Sequence, residues 1–422
     1  MNKRILSNSL WMIMEKIISI FGVIFVTSYV AKYIGPYLFG VLSISIAIFQ
    51  IIQVCAQLGT DNIIFKRITR NVSSGISLIL SSFGIRTVIY VSLSFPVFCY
   101  WLWAHNGIEI YFFCSIFIAY YFSSLDVFSI YYDAQLKSRL NTLFNSVGLI
   151  VSLLIRYVIA YKKLDPIWLA VPIVLTTFIP FCFRIFYFFI NEIKIKKIKY
   201  RKDKVYSKYI LVTGISIVMS NLSVAIYTRV NQFTLSNICT PTEVGVYSAA
   251  LTIATSWSFI NTALISSYFT SIFSERNEQL IVKKACLLNR YVFLMGMVPV
   301  TFIYFFGSEV MSVLYGADFA VNNRVLIILS ISTLLSSLGI VSSRYIINKS
   351  GYSYLSIKMI SLMIISIPIS YFAVLKNGII GAAISVLIIE ILSLTIANYF
   401  FKSGYVLKLH IRTFFISRKG GF

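Results

Sequence analysis

Charged residues are scarce in this sequence. They make up 12% of its 422 residues, against about 25% in ordinary soluble domains. Histidine occurs twice, and the HxxxE spacing of His105 and Glu109 is the one hint of acyl-transfer chemistry. The six cysteines form no CxxC pair, and their scatter is typical of small buried hydrophobes. A Gly-rich phosphate loop with a Walker lysine is also missing, so neither a metal, a cofactor nor a catalytic residue is expected.

Long apolar runs are abundant instead. Hydrophobic residues reach 58%, and the mean hydropathy is +0.85. About 20 apolar residues cross the hydrocarbon core as a helix, so the runs predict an all-α polytopic membrane protein with about twelve transmembrane helices. The first run is too long for a removable signal peptide. The predicted spans are 10–31, 38–58, 78–103, 108–130, 143–161, 166–190, 208–228, 245–270, 290–307, 324–347, 354–374 and 378–401.

The net charge of +23 predicts orientation rather than nucleic-acid binding. Of the 37 Lys and Arg residues, 27 lie at, near or beyond the ends of the predicted spans on one side (Lys358, near the start of span 354–374, among them), six lie so on the other side, and four lie deeper inside the spans. Basic residues collect on cytoplasmic loops because they resist translocation. Both termini are therefore predicted to lie in the cytoplasm.

The largest basic cluster lies near the middle of the chain, between Lys194 and Lys208, with six predicted spans on either side. It divides the sequence into an N-terminal six-helix lobe (1–190), a basic cytoplasmic linker (191–207), a C-terminal six-helix lobe (208–401) and a basic tail (402–422). Basic residues in such a linker usually keep it on the cytoplasmic side and attract it to anionic membrane lipids.

A short internal repeat supports two parallel halves. Pro36, Gly40, Val41 and Ser43 recur 205 residues later as Pro241, Gly245, Val246 and Ser248. Both sets stand at the start of the second predicted helix of a half, where proline suits a helix start and glycine allows close approach of backbones.

The same segments carry a family resemblance. Asn8-Ser9-Leu10-Trp11, Ala31-Lys32-Tyr33-Ile34-Gly35-Pro36 and Val244-Gly245-Val246-Tyr247-Ser248 resemble the bacterial Wzx-type polysaccharide flippases of the MOP superfamily, which includes the MATE exporters. The resemblance implies two MATE-like lobes in the inner membrane. They would translocate undecaprenyl-diphosphate-linked oligosaccharide, of O-antigen or capsule, by alternating access. The resemblance also implies two partner proteins, a polysaccharide polymerase and a chain-length regulator. It implies coupling of transport to protons or sodium as well. Where that family often has an aspartate, this sequence has Asn231. Cation coupling by a carboxylate at this position is therefore in doubt.

Charged residues inside the predicted spans are the candidate site. Each costs about 2.5–3.5 kcal/mol at mid-helix, so such side chains normally face a cavity or a partner. With a lipid diphosphate as cargo, basic side chains are predicted to bind or surround the phosphates; these are Lys16, Arg86, Arg156 and Arg184, with Lys16 and Arg86 the first choices. The carboxylates are predicted to line the cavity or bind a coupling cation; these are Glu15, Asp126 and Glu390. Structural ion pairs, or arginines extending to the interface, explain these residues as well.

Two other functions stay open. A MATE-like cation-coupled exporter of small molecules shares the predicted architecture, although four basic against three acidic residues in the spans favour an anionic cargo. A membrane polysaccharide polymerase or acyltransferase would be expected to carry a large outer loop, whereas the longest predicted outer loops, 229–244 and 308–323, are short. No helix face marks an oligomer interface, and a monomer is the default expectation.

Overall fold

The computed structural model describes residues 11, 14, 18–20, 22–195, 204–320 and 322–414. Every regular element in these ranges is a helix, which confirms the predicted all-α class. The chain forms two compact units, Met1–Ile226 and Tyr227–Phe422, here called unit 1 and unit 2. The lobe and linker boundaries stay predictions, and residues 196–203 of the predicted linker lie outside the described residues.

Unit 1 contains seven complete α-helices. They are α1 (Ser28–Gln57), α2 (Thr60–Arg70), α3 (Val72–Ala104), α4 (Ile108–Leu125), α5 (Phe128–Ala134), α6 (Ser138–Tyr161) and α7 (Ala170–Phe188). Short π-helices at Gly22–Thr27 and Phe189–Ile195 extend α1 and α7, and a 3₁₀ turn at Pro166–Leu169 precedes α7. The next helix, α8 (Lys204–Ile238), begins in unit 1 and ends in unit 2.

Unit 2 holds the remaining helices. They are α9 (Pro241–Ser256), α10 (Ser258–Phe273), α11 (Glu278–Tyr315), α12 (Asn323–Asn348), α13 (Tyr352–Leu394), α14 (Ile396–Tyr399) and α15 (Tyr405–Phe414). The start of α9 follows the sequence expectation. Pro241 lies in its first turn, and Thr240 and Glu243 form a reciprocal capping box.

Nine helical segments in the described part of the chain are long and apolar enough to cross a membrane. Two of them, Ile18–Gln57 and Tyr352–Tyr399, each cover two predicted spans. The division comes at a glycine with non-helical backbone, Gly35 (φ 77°) in the first and Gly378 (φ 52°) in the second, a conformation that glycine adopts without a Cβ penalty. With α8, each of the twelve predicted spans falls mostly on helix where it is described. The protein is a multi-pass membrane protein.

Some predicted boundaries were wrong because helices continue beyond their apolar stretch. The predicted outer loop 229–244 is mostly helical, since α8 ends at Ile238 and α9 begins at Pro241. Likewise, α11 runs from Glu278 to Tyr315 and covers much more than the predicted span 290–307. Hydrophobicity marks the lipid-facing part of a helix, whereas backbone hydrogen bonding extends it into polar sequence.

The basic segment after the second predicted span lies outside every predicted span, yet it forms helix α2. Ile64 and Ile68, one turn apart, are completely buried against the core of unit 1, while Lys66 and Arg70 are exposed. The helix is therefore amphipathic.

The predicted tail contains helix α15, which packs on α11. Val406 and Leu409 are buried in the unit 2 core. Arg290 of α11 donates from Nε to the Thr413 carbonyl (2.7 Å) and from Nη2 to the Arg412 carbonyl (3.2 Å). A cation at the C-terminal carbonyls of a helix is stabilising, so α15 is held by its end as well as by its apolar face.

Acid is expected to loosen α15 through His410. This ring lies 3.0 Å from Ser342 Oγ and 3.2 Å from the Tyr399 hydroxyl, and burial lowers the pKa of His410 to about 4 from 6.5. Protons therefore bind the undocked helix more tightly, so docking is fully stable above about pH 6.5 and weakens as the pH falls toward about 4.

Cys286 reports this docking because its thiol, under α15, contacts the Leu409 carbonyl (3.6 Å). In a variant that keeps Cys286 alone, reaction with dithiodipyridine, which modifies thiols in acid, should accelerate as the pH falls. His410→Asn, which cannot be protonated, should flatten the profile. Equal pH profiles in the two proteins would contradict the role given to His410.

Candidate functional site

Arg86, a predicted phosphate contact, is buried at the junction of three unit 1 helices. Its side chain on α3 is 2% exposed and donates to Asp61 Oδ1 (2.6 Å), Thr60 Oγ1 (2.5 Å) and the Ser124 carbonyl (2.8 Å). The guanidinium thus ties α2 and α4 to α3 and is neutralised by Asp61, whose side chain is 43% exposed. In this arrangement Arg86 already has a carboxylate partner.

Arg184 and Asp126, predicted separately, are brought together as an ion pair. From α7, Arg184 donates to Asp126, to Asn145 and, at 3.0 Å, to Asn141 Oδ1. The amide of Asn141 donates in turn to Asp133 Oδ1 (2.9 Å). The Asp126 side chain is only 14% exposed, and Arg184 occupies one of its carboxylate oxygens.

A neighbouring ion pair was missed by the sequence analysis. Lys137 Nζ lies 2.9 Å from Glu192 Oε1, and the Glu192 side chain is 1% exposed. The Tyr131 hydroxyl also hydrogen bonds to this carboxylate. Both charges stand just outside predicted spans and 55 residues apart, so no local pattern pointed to their pairing.

Arg156 differs from the other two arginines. On α6, its Nη2 donates to Thr176 Oγ1 (3.2 Å) of α7, whose hydroxyl hydrogen bonds to Ser152 Oγ (2.7 Å). Its Nε is buried without a hydrogen-bond partner. Among the described residues, no carboxylate lies within ion-pair distance of Arg156. No described carboxylate therefore neutralises this guanidinium, and its Nε is an unused donor.

An apolar groove of about 410 Å³ lies beside the same part of unit 1. Its lining comes from both helices that hold the arginine: Ile155 and Val158 belong to α6, and Val171 lies five residues before Thr176 on α7. Trp168, 59% exposed, also lines the groove. An unneutralised cation and an apolar groove therefore share one helix pair.

Unit 2 buries two charged residues of opposite sign on α13. Glu390 is 8% exposed and accepts hydrogen bonds from the Tyr227 and Ser336 hydroxyls. Lys358, which the sequence analysis counted on the cytoplasmic side, is 5% exposed and donates to Asn398 Oδ1 (2.9 Å). The charges of Lys358 and Glu390 interact, although the two form no direct ion pair.

A second polar cluster surrounds Asn231, the departure from the family pattern. Its Oδ1 accepts from Ser370 Oγ (2.7 Å) and Ser385 Oγ (2.5 Å). Ser370 also hydrogen bonds to Thr234 Oγ1 (2.9 Å). This cluster is neutral and joins α8 to both halves of α13.

Two predicted residues, Glu15 and Lys16, lie outside the described residues. Within the described ranges, no group of three or more His, Cys, Asp or Glu side chains is placed to hold a metal. Two separate candidate sites therefore remain, Arg156 with its groove in unit 1 and the Glu390 cluster in unit 2.

Comparisons with known proteins place the chain in a family. Residues 5–273 match the sequence model of a family described as polysaccharide biosynthesis protein. A capsular polysaccharide biosynthesis protein of Staphylococcus aureus, CapF, is 24% identical over 210 residues. That match covers 49% of this chain and about half (53%) of the relative.

Solved structures agree on the fold. An inward-facing and an outward-facing structure of multidrug resistance MATE family transporters of the MOP superfamily each align over 96% of this chain and 95% of theirs, with a TM-score of 0.62. The identities are 15% and 14%, so the likeness shows the fold alone. The predicted MATE-like architecture is confirmed.

Proposed function

Because this chain belongs to the polysaccharide biosynthesis protein family and has the MATE-like fold of the MOP superfamily, we propose that it is a flippase for lipid-linked oligosaccharide. Its cargo would be undecaprenyl-diphosphate-linked repeat units, moved outward across the bacterial inner membrane by alternating access. The likeness to CapF favours capsule units. Both termini would lie in the cytoplasm, and a polysaccharide polymerase and a chain-length regulator would act on the product.

The main support for this proposal comes from Arg156. A diphosphate moved into hydrocarbon loses hydrogen bonds to water, at several kcal/mol for each charged group. A guanidinium replaces them with charge-assisted, bidentate donors. Arg86 and Arg184 already donate to carboxylates, whereas Arg156 has no carboxylate within ion-pair distance among the described residues. We therefore assign the phosphate contact first to Arg156, with Lys16 as the remaining candidate.

The apolar groove supports a lipid-linked anion over a soluble one. Its walls come from the two helices that hold Arg156 and Thr176. An isoprenoid chain in the groove would keep its apolar contacts, and its diphosphate would then have to reach Arg156, which does not itself line the groove. A small hydrophilic anion would have no use for such a groove.

Removing the charge of Arg156 is expected to abolish most transport without loss of protein. In a gene-deletion strain, Arg156→Gln should lower surface polysaccharide roughly 10- to 100-fold, the loss of one charge-assisted contact of about 1.5–3 kcal/mol. Undecaprenyl-linked units should accumulate on the cytoplasmic side. Arg156→Lys should restore part of the activity, and Lys162→Gln, an exposed charge just after α6, should behave as wild type.

The deletion strain itself separates the functions. Full surface polysaccharide in the deletion strain, together with raised sensitivity to cationic drugs, would replace the flippase with a drug exporter. Single units that reach the surface but do not polymerise would indicate a polymerase. Normal export by Arg156→Gln, with failure of the deletion strain, would move the phosphate contact elsewhere and leave the flippase function intact.

A further inference from the structure

Helix α15 has an exposed face as well as the face that packs on α11. Leu407 and Ile411 are 39% and 48% exposed and stand one turn apart on this helix. Lys408 and Arg412 are exposed too, and they also stand one turn apart. Because successive residues of an α-helix are rotated by about 100°, an apolar row and a basic row run side by side along the exposed face.

No negative charge balances the basic row. Among the described residues, no carboxylate lies within ion-pair distance of Lys408 or Arg412. The sequence has no Asp or Glu after Glu390, whereas five Lys and Arg residues follow that position. An anionic partner therefore complements this face.

Helix α15 also lies beside the ends of two spanning segments. It begins six residues after Tyr352–Tyr399, which is long and apolar enough to cross a membrane. It contacts α11 at Cys286 and Arg290, where the predicted span 290–307 begins. The headgroup region of a bilayer extends about 5–7 Å beyond the hydrocarbon on each side. The exposed face of α15 is therefore close to the level of the lipid headgroups.

We propose that α15 is a membrane-surface helix that binds anionic phospholipid headgroups. Leu407 and Ile411 enter the boundary between headgroups and acyl chains, while Lys408 and Arg412 contact lipid phosphates. An apolar row beside basic residues is typical of helices that lie in the interface of anionic membranes. An acidic protein would complement the basic row alone, whereas a bilayer complements both rows. This surface lies outside the proposed transport site and does not depend on the cargo.

Hydrogen exchange of residues 405–414 can measure this binding in the whole purified chain. The protein is compared in nanodiscs of phosphatidylcholine and in nanodiscs that also contain phosphatidylglycerol. Lipid that binds the docked helix should slow its exchange. The slowing in the anionic discs should be about 30-fold, because each of the two basic residues near such a surface strengthens binding about fivefold. Added salt should reduce this difference.

Charge variants test the basic row. Lys408→Gln combined with Arg412→Gln should abolish the slowing, and glutamate at both positions should make exchange faster in the anionic discs than in the neutral ones. Arg276→Gln combined with Lys283→Gln is the matched control, because these two exposed residues lie around the turn between α10 and α11 and carry the same total charge. The control should keep the wild-type response.

The apolar row has its own variant. Leu407→Ser combined with Ile411→Ser should reduce the response to phosphatidylglycerol but keep its sensitivity to salt. An unchanged response in this variant would contradict insertion of α15 into the interface. Equal exchange of the wild type in both discs, or slowing that persists in Lys408→Gln/Arg412→Gln, would overturn the proposal. Slowing by glycerol 3-phosphate in neutral discs would also overturn it, because the face would then bind soluble anions rather than a membrane surface.

Discussion

Arg184→Ala is expected to destabilise the protein by about 3–5 kcal/mol, the usual cost of removing one partner from a buried ion pair. The Arg184 and Asp126 side chains are 3% and 14% exposed. The substitution would leave the Asp126 charge uncompensated and the Asn141 and Asn145 oxygens without this donor. Unfolding in mixed detergent micelles, followed by tryptophan fluorescence, would measure the loss.

Two further variants isolate the ion pair. Arg70→Ala removes an exposed arginine at the end of α2 and should change the free energy of unfolding by no more than about 0.5 kcal/mol. Arg184→Met combined with Asp126→Leu replaces both charges by apolar groups and should recover part of the loss. A double variant less stable than Arg184→Ala would show that the neighbouring asparagines, not the unpaired charge, dominate the effect.

The second large effect is expected at Gly381, just after the break in α13. A Cβ at this position would lie 1.8 Å from the carbonyl oxygen of Ala373 and 2.4 Å from its carbonyl carbon. Both are backbone atoms of the preceding half of the helix, so no side-chain rotation relieves the overlap. Gly381→Ala should therefore cost about 3 kcal/mol, the upper part of the range for overpacking. A lower melting temperature and a reduced monodisperse fraction in detergent would report it.

Gly339 provides the matched control in unit 2. It lies inside α12, and a Cβ there would meet nothing within 4 Å. Gly339→Ala should be neutral or stabilise the protein by up to about 1 kcal/mol, because alanine favours the helix. Equal stability of the two alanine variants would mean that the turn at Gly378 relaxes freely, contrary to the close packing of the two halves of α13.

The number and order of the long apolar helical segments could be predicted because the signal is local. An apolar run of about 20 residues has one low-energy form in a bilayer, since an unpaired backbone amide there costs several kcal/mol. The turns also left local traces: Gly35 precedes Pro36, and Thr240 precedes Pro241 with Glu243 three residues later. Helix α2 had a signal as well, because Ile64 and Ile68 stand one turn apart among basic residues.

The sequence could predict which charged residues lie within the spans, but not which of them pair with one another. Arg86 and Asp61 lie 25 residues apart, and Arg184 and Asp126 lie 58 apart. Helix packing decides which of them meet. Lys358 was counted on the cytoplasmic side because it stands near the start of the predicted span 354–374, and depth along one helix does not show what its neighbours cover.

The sequence by itself determined that this protein is a helical, multi-pass membrane protein, because hydrophobic length is a property of contiguous residues. Only the tertiary structure decided which buried charges cancel. Asp61 and Asp126 neutralise two arginines, while Arg156 meets a threonine and Lys358 an asparagine. Whether a charge remains available for a ligand depends on which distant helices pack beside it, because opposite charges interact strongly in the low dielectric of the interior only at short distance.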